Sequence, residues 1–302
     1  MNNIIETLHL ERRFGKTEAV HDLTLNVPTG SVFALLGPNG AGKSTTIKML
    51  MNLVPPTSGT ARVLGVDSKK LSPTEFARIG YVAETIELPE WMTVRQFLDY
   101  CRPFYPKWDS ELEKTLLGKF ELPPERKIKH LSRGMRMKTL LLSTLAYRPA
   151  LLVLDEPFSG LDPVMRDDFI RGVLEVSSLG DWTVFVSSHD IEEVERLADW
   201  VGIIDQGKLH LSETLESLQR RFRRVEITRT SPAPTPKVPP TWTDYSEAGL
   251  LVRLVETKYA HGESEKSYGD IFPGGSISVQ TMPLRDIYIA IARTTRSTTV
   301  QK

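Results

Sequence analysis

Residues 37–45 read Gly37-Pro38-Asn39-Gly40-Ala41-Gly42-Lys43-Ser44-Thr45 and match the phosphate-loop pattern G-x-x-x-x-G-K-[ST] at every fixed position. The apolar segment 31–36 predicts a buried strand before the loop, and 47–53 predicts a helix after it. Glycines let consecutive backbone N–H groups face one centre, and the helix N-terminus adds partial positive charge, so such a loop can cradle phosphates. We therefore expect Lys43 to reach the β- and γ-phosphates of a nucleoside triphosphate and Ser44 to ligate Mg²⁺.

A pair of carboxylates follows another apolar run, Leu151-Leu152-Val153-Leu154-Asp155-Glu156. Four consecutive apolar residues predict a fully buried parallel strand, and ligands bind at the C-terminal ends of such strands. Asp155 would hold the Mg²⁺ shell, and Glu156 would polarise an attacking water. An acidic strand end taken in isolation is more often a solvated turn. Downstream of a phosphate loop it is the expected partner of that loop.

Two further residues have a functional and a structural interpretation. The segment 183–188 predicts another buried strand, beside the one bearing Asp155, and it ends at His189, which is either structural or in reach of a γ-phosphate. Phe14 lies between segments 4–10 and 19–27, whose alternating apolar residues predict an antiparallel pair of strands. Its ring either stacks on an adenine or anchors the strand end, and the local sequence favours neither.

The segment from about 93 to 121 interrupts the α/β pattern. Apolar residues at helical spacing predict two amphipathic helices with Thr93 and Asp109 as their N-caps. Between them, 103–108 is rich in proline and aromatic residues. A helical insertion of this kind either adapts the core to a partner or merely covers it.

Composition restricts the class of protein. The 302 residues suffice for one large α/β domain and a smaller one. Lys+Arg and Asp+Glu both number 38, so nothing indicates a general affinity for nucleic acid. The single cysteine, Cys101, excludes an intramolecular disulfide and fits a reducing compartment. No apolar run has the length of a membrane span and no signal peptide is visible, so we expect a cytoplasmic protein whose membrane role comes through a partner.

The predicted division is a nucleotide-binding domain over 1–220, with a helical subdomain at about 85–148, and a small α+β domain over 221–302. A proline-rich connector occupies 231–240 in the second domain. The basic cluster at 219–224 either touches anionic lipid headgroups or is a solvated helix end, and the second interpretation is favoured.

In the second domain, three strands are predicted near 225–228, 250–255 and 276–280, and a helix over 283–293. No chemistry is assigned to these segments. His210 and His261 lack metal-ligand spacing partners and are interpreted as structural.

Together these motifs resemble the ATP-binding subunit of an ABC transporter over about residues 1–220. The resemblance implies a P-loop NTPase core with an antiparallel β subdomain and a helical subdomain. It also implies a role for each matching position: adenine stacking by Phe14, the Walker A loop at 37–45, the Walker B pair Asp155 and Glu156 with Glu156 as catalytic base, Asp162 in the D-loop, and His189 as the switch histidine.

The segment Leu131-Ser132-Arg133-Gly134-Met135 occupies the place of the family signature LSGGQ, which caps the γ-phosphate bound to the opposite subunit. Ser132, Arg133 and Gly134 are thereby expected to bind nucleotide. Arg133 replaces a glycine, and Glu84 stands where the family carries the Q-loop glutamine. A carboxylate at Glu84 can bind Mg²⁺ directly or through water but cannot donate hydrogen bonds as an amide does.

The LS-basic-GM signature and the segment 104–109 resemble the bacterial antibiotic-export and antibiotic-resistance branch. This implies an ATPase, with ATP and Mg²⁺ as cofactors, peripheral on the inner face of the cell membrane. Its partners would be a separate transmembrane permease subunit and a second ATP-binding subunit, identical or different, and not nucleic acid. The alternatives are a soluble ABC-type ATPase acting on nucleic acid or ribosomes, and a regulatory ATP-binding module not coupled to transport.

Overall fold

The computed structural model describes residues 2–83, 85–178, 182–232 and 237–300. The chain forms two compact units, Met1–Ser212 and Glu213–Lys302. The chain thus divides after Ser212, before the boundary predicted after residue 220. Each unit is described by itself.

The strands among the described residues of the first unit are β1 (Asn3–Phe14), β2 (Thr17–Pro28), β3 (Val32–Leu36), β4 (Ser58–Val63), β5 (Val66–Asp67), β6 (Ile79–Ala83), β7 (Leu151–Asp155), β8 (Thr183–Ser188), β9 (Trp200–Asp205) and β10 (Lys208–Thr214). Its helices are α1 (Lys43–Leu50), α2 (Pro73–Phe76), α3 (Val94–Cys101), α4 (Ser110–Lys119), α5 (Arg133–Leu145), α6 (Pro163–Ser178) and α7 (Ile191–Leu197). Single turns of 3₁₀ helix lie at Ser68–Lys70, Arg102–Phe104 and Ile128–His130.

Two sheets build the first unit. The smaller one has the strand order β2-β1-β4-β5, and β1 pairs antiparallel with both β2 and β4. Successive side chains of a strand point to opposite faces of the sheet, so the apolar residues that alternate with polar ones share one face, which is buried. The predicted antiparallel pair of strands and the P-loop NTPase fold class are confirmed.

The larger sheet has the order β10-β9-β3-β8-β7-β6, in which the strands from β9 to β6 pair parallel. Their C-terminal ends therefore share one edge of the sheet. In the register, Leu35 and Asp155 both lie opposite Ser187. Every residue of β3, β7 and β8 is buried, which explains the continuous apolar sequences of β3 and of β7 up to Asp155.

Helix α1 begins at Lys43, four residues before the start predicted from its apolar pattern. Gly42 precedes it with φ +104°, a conformation that favours glycine. A Cβ at this position would also lie 2.4 Å from the carbonyl oxygen of Ala19 in β2. The phosphate loop therefore passes close to the β1–β2 hairpin.

The helical insertion has the two predicted N-caps. Thr93 Oγ1 accepts from Gln96 N at 3.1 Å, and Asp109 Oδ1 accepts from Leu112 N at 2.9 Å. The insertion is joined to the core through Tyr147, whose ring stacks on Tyr105 with 3.8 Å between centroids and whose hydroxyl donates to Ile79 O in β6. The insertion thus has a fixed connection to the parallel sheet.

The second unit is a four-stranded sheet with three helices among its described residues: α8 (Leu215–Arg221), β11 (Arg223–Thr228), β12 (Trp242–Ala248), β13 (Leu251–Glu256), α9 (Glu263–Ile271), β14 (Ser276–Thr281) and α10 (Leu284–Val300). The strand order is β12-β13-β11-β14 and every pair is antiparallel. Strands β11, β13 and β14 and helix α10 were predicted, whereas β12 and α9 were not. In the connector, residues 233–236 lie outside the described residues.

Arginines of the basic cluster are held within the second unit. Arg221 pairs with Glu213, and Arg224 Nη2 lies 2.8 Å from Asp286 Oδ2. The guanidinium of Arg223 lies 5.3 Å from the ring centroid of Tyr259. These contacts favour the structural interpretation of the cluster over lipid binding. Over the part of the chain that the structure describes, no helix combines the length and hydropathy that a membrane span needs.

Candidate functional site

The phosphate loop connects β3 to α1 and presents Pro38, Asn39 and Gly40 at its exposed tip. Ala41 N donates to Pro38 O at 3.1 Å and closes the turn. Gly37 has no space for a side chain, because a Cβ there would lie 2.2 Å from Ile204 O in β9. Ser44 and Thr45 are half-buried at the start of α1. The sequence pattern therefore follows from close backbone packing as well as from ligand chemistry.

The Lys43 side chain is 4% exposed and lies under the loop. Its Nζ donates to Gly37 O at 2.7 Å and to Pro38 O at 3.1 Å. The same Nζ lies 2.9 Å from Glu156 Oε1. A buried ammonium requires such partners, because removing a charge from water is costly without them.

Asp155, at the end of β7, is 7% exposed and accepts two hydroxyl hydrogen bonds at one oxygen. Ser44 donates to Asp155 Oδ1 at 2.9 Å, and Ser187 of β8 donates to the same atom at 2.7 Å. Burial and the negative charge of Asp155 raise the pKa of Tyr81 to about 12, so that phenol stays protonated. The parallel register brings these groups together.

Glu156 bridges the loop and the end of β8. Its Oε2 lies 2.8 Å from His189 Nδ1, while Oε1 faces Lys43. Its backbone N–H donates to Ser187 Oγ at 3.0 Å. The residue has φ +50°, in the left-handed region that residues with a Cβ adopt at a cost. Lys43, Glu156 and His189 therefore form a continuous row of contacts.

A further charged group lies behind His189 and was missed from the sequence. Arg166 Nη1 lies 3.0 Å from Glu193 Oε1 and 3.1 Å from Asp190 Oδ2. Ser188 Oγ donates to Glu193 Oε2 at 3.2 Å. Burial, together with the charge of Asp190, raises the pKa of Glu193 to about 7, although Arg166 and Ser188 oppose the shift. No sequence motif brings Arg166 and Glu193 together, because their contact joins two separate helices, α6 and α7.

The other expected nucleotide contacts form a second group, at the starts of α5 and α6. Ser132 Oγ accepts from Met135 N at 3.2 Å, and Asp162 Oδ1 accepts from Met165 N at 3.0 Å, so both side chains act as N-caps. Gly134 is buried, and a Cβ there would lie 2.8 Å from Met165 Sδ. Arg133 contacts the turn at Gly160. This second group approaches the first through Gly160, which lines the same small cavity as Glu156 and His189.

Phe14 ends β1 with its ring 47% exposed. The guanidinium carbon of Arg12 lies 4.4 Å from the ring centroid. Exposure of this extent leaves a ring face accessible to a planar ligand. Glu84, expected to bind Mg²⁺, lies outside the described residues.

Ser44 and Asp155 suit a Mg²⁺ ion, because both supply the oxygen donors that this cation prefers. The buried carboxylate with two hydroxyl donors is a hard, oxygen-only set. Within 2–83, 85–178, 182–232 and 237–300, no three His, Cys, Asp or Glu side chains cluster to bind a metal ion by themselves. A cation here would therefore rely on additional oxygen atoms, which the phosphates of a bound nucleotide supply.

Comparisons with known proteins agree with this geometry. Residues 20–159 match the family described as ABC transporter. The chain is 30% identical over 263 residues to a bacitracin transport ATP-binding protein of Enterococcus faecalis, which covers 86% of this chain and 80% of that protein. It is 35% identical over 211 residues to a linearmycin resistance ATP-binding protein of Bacillus subtilis, covering 68% of each. A solved ATP-binding subunit of an ABC transporter superimposes with a TM-score of 0.65 at 29% identity, over 72% of this chain and 92% of that one.

Proposed function

This chain belongs to the ABC transporter family as an ATP-hydrolysing subunit, and from that premise we propose how its own residues carry out the reaction and which partner it serves. The observation that carries the proposal is the row of Lys43, Glu156 and His189 beside the Ser44–Asp155 hydrogen bond. Asp155 ends β7, Glu156 and His189 directly follow β7 and β8, and Lys43 and Ser44 begin α1 after the loop that leaves β3. Their contacts thus gather at the C-terminal edge of the parallel sheet. Such edges are where parallel sheets bind ligands.

In the proposed reaction, the backbone of residues 37–45 binds the phosphates of ATP at the N-terminus of α1. Lys43 stabilises negative charge on the transferred phosphoryl group. Glu156 accepts a proton from the attacking water as the bond from the γ-phosphorus to ADP breaks. His189, held against Glu156, orients that carboxylate and lies where a γ-phosphate oxygen is expected.

Ser44 and Asp155 would hold Mg²⁺, with Glu84 as a further candidate ligand. When bound, the cation neutralises charge on the β- and γ-phosphates. Ser187 holds the Asp155 carboxylate in place from the neighbouring strand. Phe14 would stack on the adenine, a use supported by its exposed ring.

We further propose that two ATP-binding subunits form a dimer with nucleotide at their interface. Ser132, Gly134 and the backbone of Arg133 at the start of α5 would then cap the γ-phosphate held by the partner, because a helix N-terminus favours an anion. Asp162, at the start of α6, would lie near the same interface. Binding of ATP would close the dimer and hydrolysis would reopen it.

The subunit powers a separate membrane-spanning subunit. Relatives named for transport of bacitracin and resistance to linearmycin support an exporter of antibiotic-like molecules, with this chain peripheral on the inner face of the cell membrane. The helical insertion would transmit the motion, since Tyr147 joins it to the parallel sheet.

Steady-state hydrolysis of ATP by the full chain, with Lys43→Ala as control, tests the reaction. Turnover by the wild type that is lost in the variant supports the proposal, and equal turnover in both would contradict it. Affinity purification from gently solubilised membranes tests the partner. Recovery of a stoichiometric polytopic membrane protein is expected, whereas recovery only from the soluble fraction with nucleic acid or ribosomes would contradict the transport role.

A further inference from the structure

The N-terminus of α5 and the turn before α6 contact each other through Arg133 and Gly160. Gly160 has φ +66°, and a Cβ built on it would lie 2.0 Å from Arg133 Nη1, 2.4 Å from Cζ and 2.9 Å from Nη2. Three atoms of the guanidinium thus fill the space that any side chain at position 160 would need. The contact is within one chain and joins the signature segment to the turn 159–162.

The neighbouring contact is equally close. A Cβ on Gly134 would lie 2.8 Å from Met165 Sδ in the first turn of α6. Ser132 caps α5 and Asp162 caps α6, so both helix starts have defined backbone geometry. The first turn of α5 therefore packs directly against the start of α6.

The turn at Gly160 leads back to Glu156 through a short hydrogen-bonded segment. Ser159 N donates to Glu156 O at 3.2 Å, and Leu161 N donates to Phe158 O at 3.1 Å. Ser159 and Gly160 line the same small cavity as Glu156 and His189. A displacement of Gly160 would be passed to the Glu156 backbone, which already has the unusual φ of +50°.

We propose that Arg133 is a positioning residue for hydrolysis, whose guanidinium holds the Gly160 turn and thereby the Glu156 carboxylate of the same chain. The side chain thus has a task different from the nucleotide contact expected of the signature segment. A change in the position of α5, which would face the partner's nucleotide, is passed to the base of this chain's own site. This inference rests on the proposed function.

The first test compares Arg133→Ala and Arg133→Lys with Arg136→Ala in the full chain. Arg136→Ala is the matched control, because it removes the same charge from the same helix and the Arg136 guanidinium pairs with Glu90 instead. We expect Arg133→Ala to lower kcat about tenfold or more, because small displacements of a reacting group are costly, while KM for ATP changes less than about twofold. Arg133→Lys keeps the charge but not the planar fork, so it should restore kcat only in part.

Either of two results would overturn the inference. One is a large rise in KM with unchanged kcat, which indicates a direct nucleotide contact. The other is a kcat for Arg133→Ala equal to that of Arg136→Ala. Failure of the proposed function gives a different result: Glu156→Gln would then retain wild-type turnover, which would show that Glu156 is not the base.

A double-mutant cycle with Gly160→Ala isolates the contact. In the wild-type background, the new methyl group displaces the Arg133 guanidinium. The backbone strain of alanine at this positive φ is the same with and without Arg133, so it cancels in the cycle. Gly160→Ala should therefore lower kcat less in the Arg133→Ala background than alone. Additive losses would show that the two residues act independently and would refute the inference.

Discussion

The ammonium of Lys43 lies 2.9 Å from Glu156 Oε1, so the phosphate loop and the end of β7 are joined by a direct ion pair. Lys43 is 4% exposed and Glu156 17% exposed, so water weakens this pair little. The proposed base is therefore held beside the group that is expected to meet the transferred phosphoryl oxygen atoms.

Glu156→Gln should retain ATP binding and lose most turnover. The amide keeps the shape of the side chain but cannot accept the proton, and a positioned base contributes roughly 10²- to 10⁴-fold. Single-turnover hydrolysis and equilibrium binding of ATP measure the two effects separately. Turnover near that of the wild type would contradict the assignment of the base.

Ser187→Ala should raise the Mg²⁺ concentration that turnover requires, because it loosens Asp155. The substitution removes one of two hydroxyl donors to a buried carboxylate, and a hydrogen bond to a charged group is worth about 1.5–3 kcal/mol. We expect a lower Tm and a higher Mg²⁺ concentration for half-maximal turnover. Ser143→Ala is the control, because Ser143 is buried in α5 and donates to Leu140 O of its own helix. Equal Mg²⁺ titrations for the two variants would refute this role.

Glu193→Gln should remove a pH dependence of stability. Burial raises the pKa of Glu193 from 4.5 to about 7, so the folded protein disfavours the ionised form. The stabilisation is complete below pH 4.5 and decreases as pH rises through about 7, by at most about 3 kcal/mol. Tm of the wild type should therefore fall relative to that of Glu193→Gln between pH 5 and 8. Glu192→Gln, at an exposed neighbouring position, should follow the wild type, and parallel curves for all three proteins would contradict the expectation.

Phe14→Ala distinguishes adenine stacking from anchoring of the strand. Stacking of a base on an aromatic ring is worth about 1–3 kcal/mol, so KM for ATP should rise about tenfold while inorganic triphosphate still competes for the site. Leu8→Ala is the matched control, because Leu8 is an apolar residue of the same strand with a similar exposed fraction, 55% compared with 47% for Phe14. A loss of stability in Phe14→Ala with no change in KM would favour the anchoring role.

Trp242→Phe should destabilise the second unit selectively. Trp242 Nε1 donates to Glu256 Oε2 at 2.8 Å, and this carboxylate is 5% exposed. Loss of the donor leaves a buried charged oxygen without this partner, at a cost of about 1.5–3 kcal/mol. Hydrogen exchange should accelerate in peptides from 213–302 and not in those of the first unit. Trp91→Phe, at a 69% exposed position, is the control; equal exchange in the two variants would refute the prediction.

The elements predicted correctly from the sequence are those that depend on residues close together in the chain. The phosphate loop, the apolar runs of β7 and β8, and the caps Thr93 and Asp109 were all found, because each depends on neighbours in the chain. Ser187 was missed because its contact with Asp155 depends on the register between two strands, and a serine ending an apolar run has no periodic signal.

The missed elements in the second unit have a similar explanation. Strand β12 is an edge strand with Trp242 as its only fully buried residue, and α9 buries only Tyr268. Neither segment has the apolar periodicity from which strands and helices are predicted. The segment 219–224, interpreted from the sequence as a helix end, is helical only as far as Arg221. Phe222 has an extended backbone and Arg223 begins β11. Tertiary pairing of β11 with β13 and β14 overrides the local helical pattern there.

The left-handed backbone of Glu156 is strained, and the contacts of its side chain with Lys43 and His189 offset that strain. This conformation costs a residue with a Cβ about 1–2 kcal/mol, and glycine would avoid most of that strain. A glycine would also lack the carboxylate between Lys43 and His189. It would leave the buried ammonium of Lys43 without its ion-pair partner, and breaking a buried pair costs about 3–5 kcal/mol, more than the strain that glycine relieves. Position 156 therefore needs its acid for folding as well as for hydrolysis.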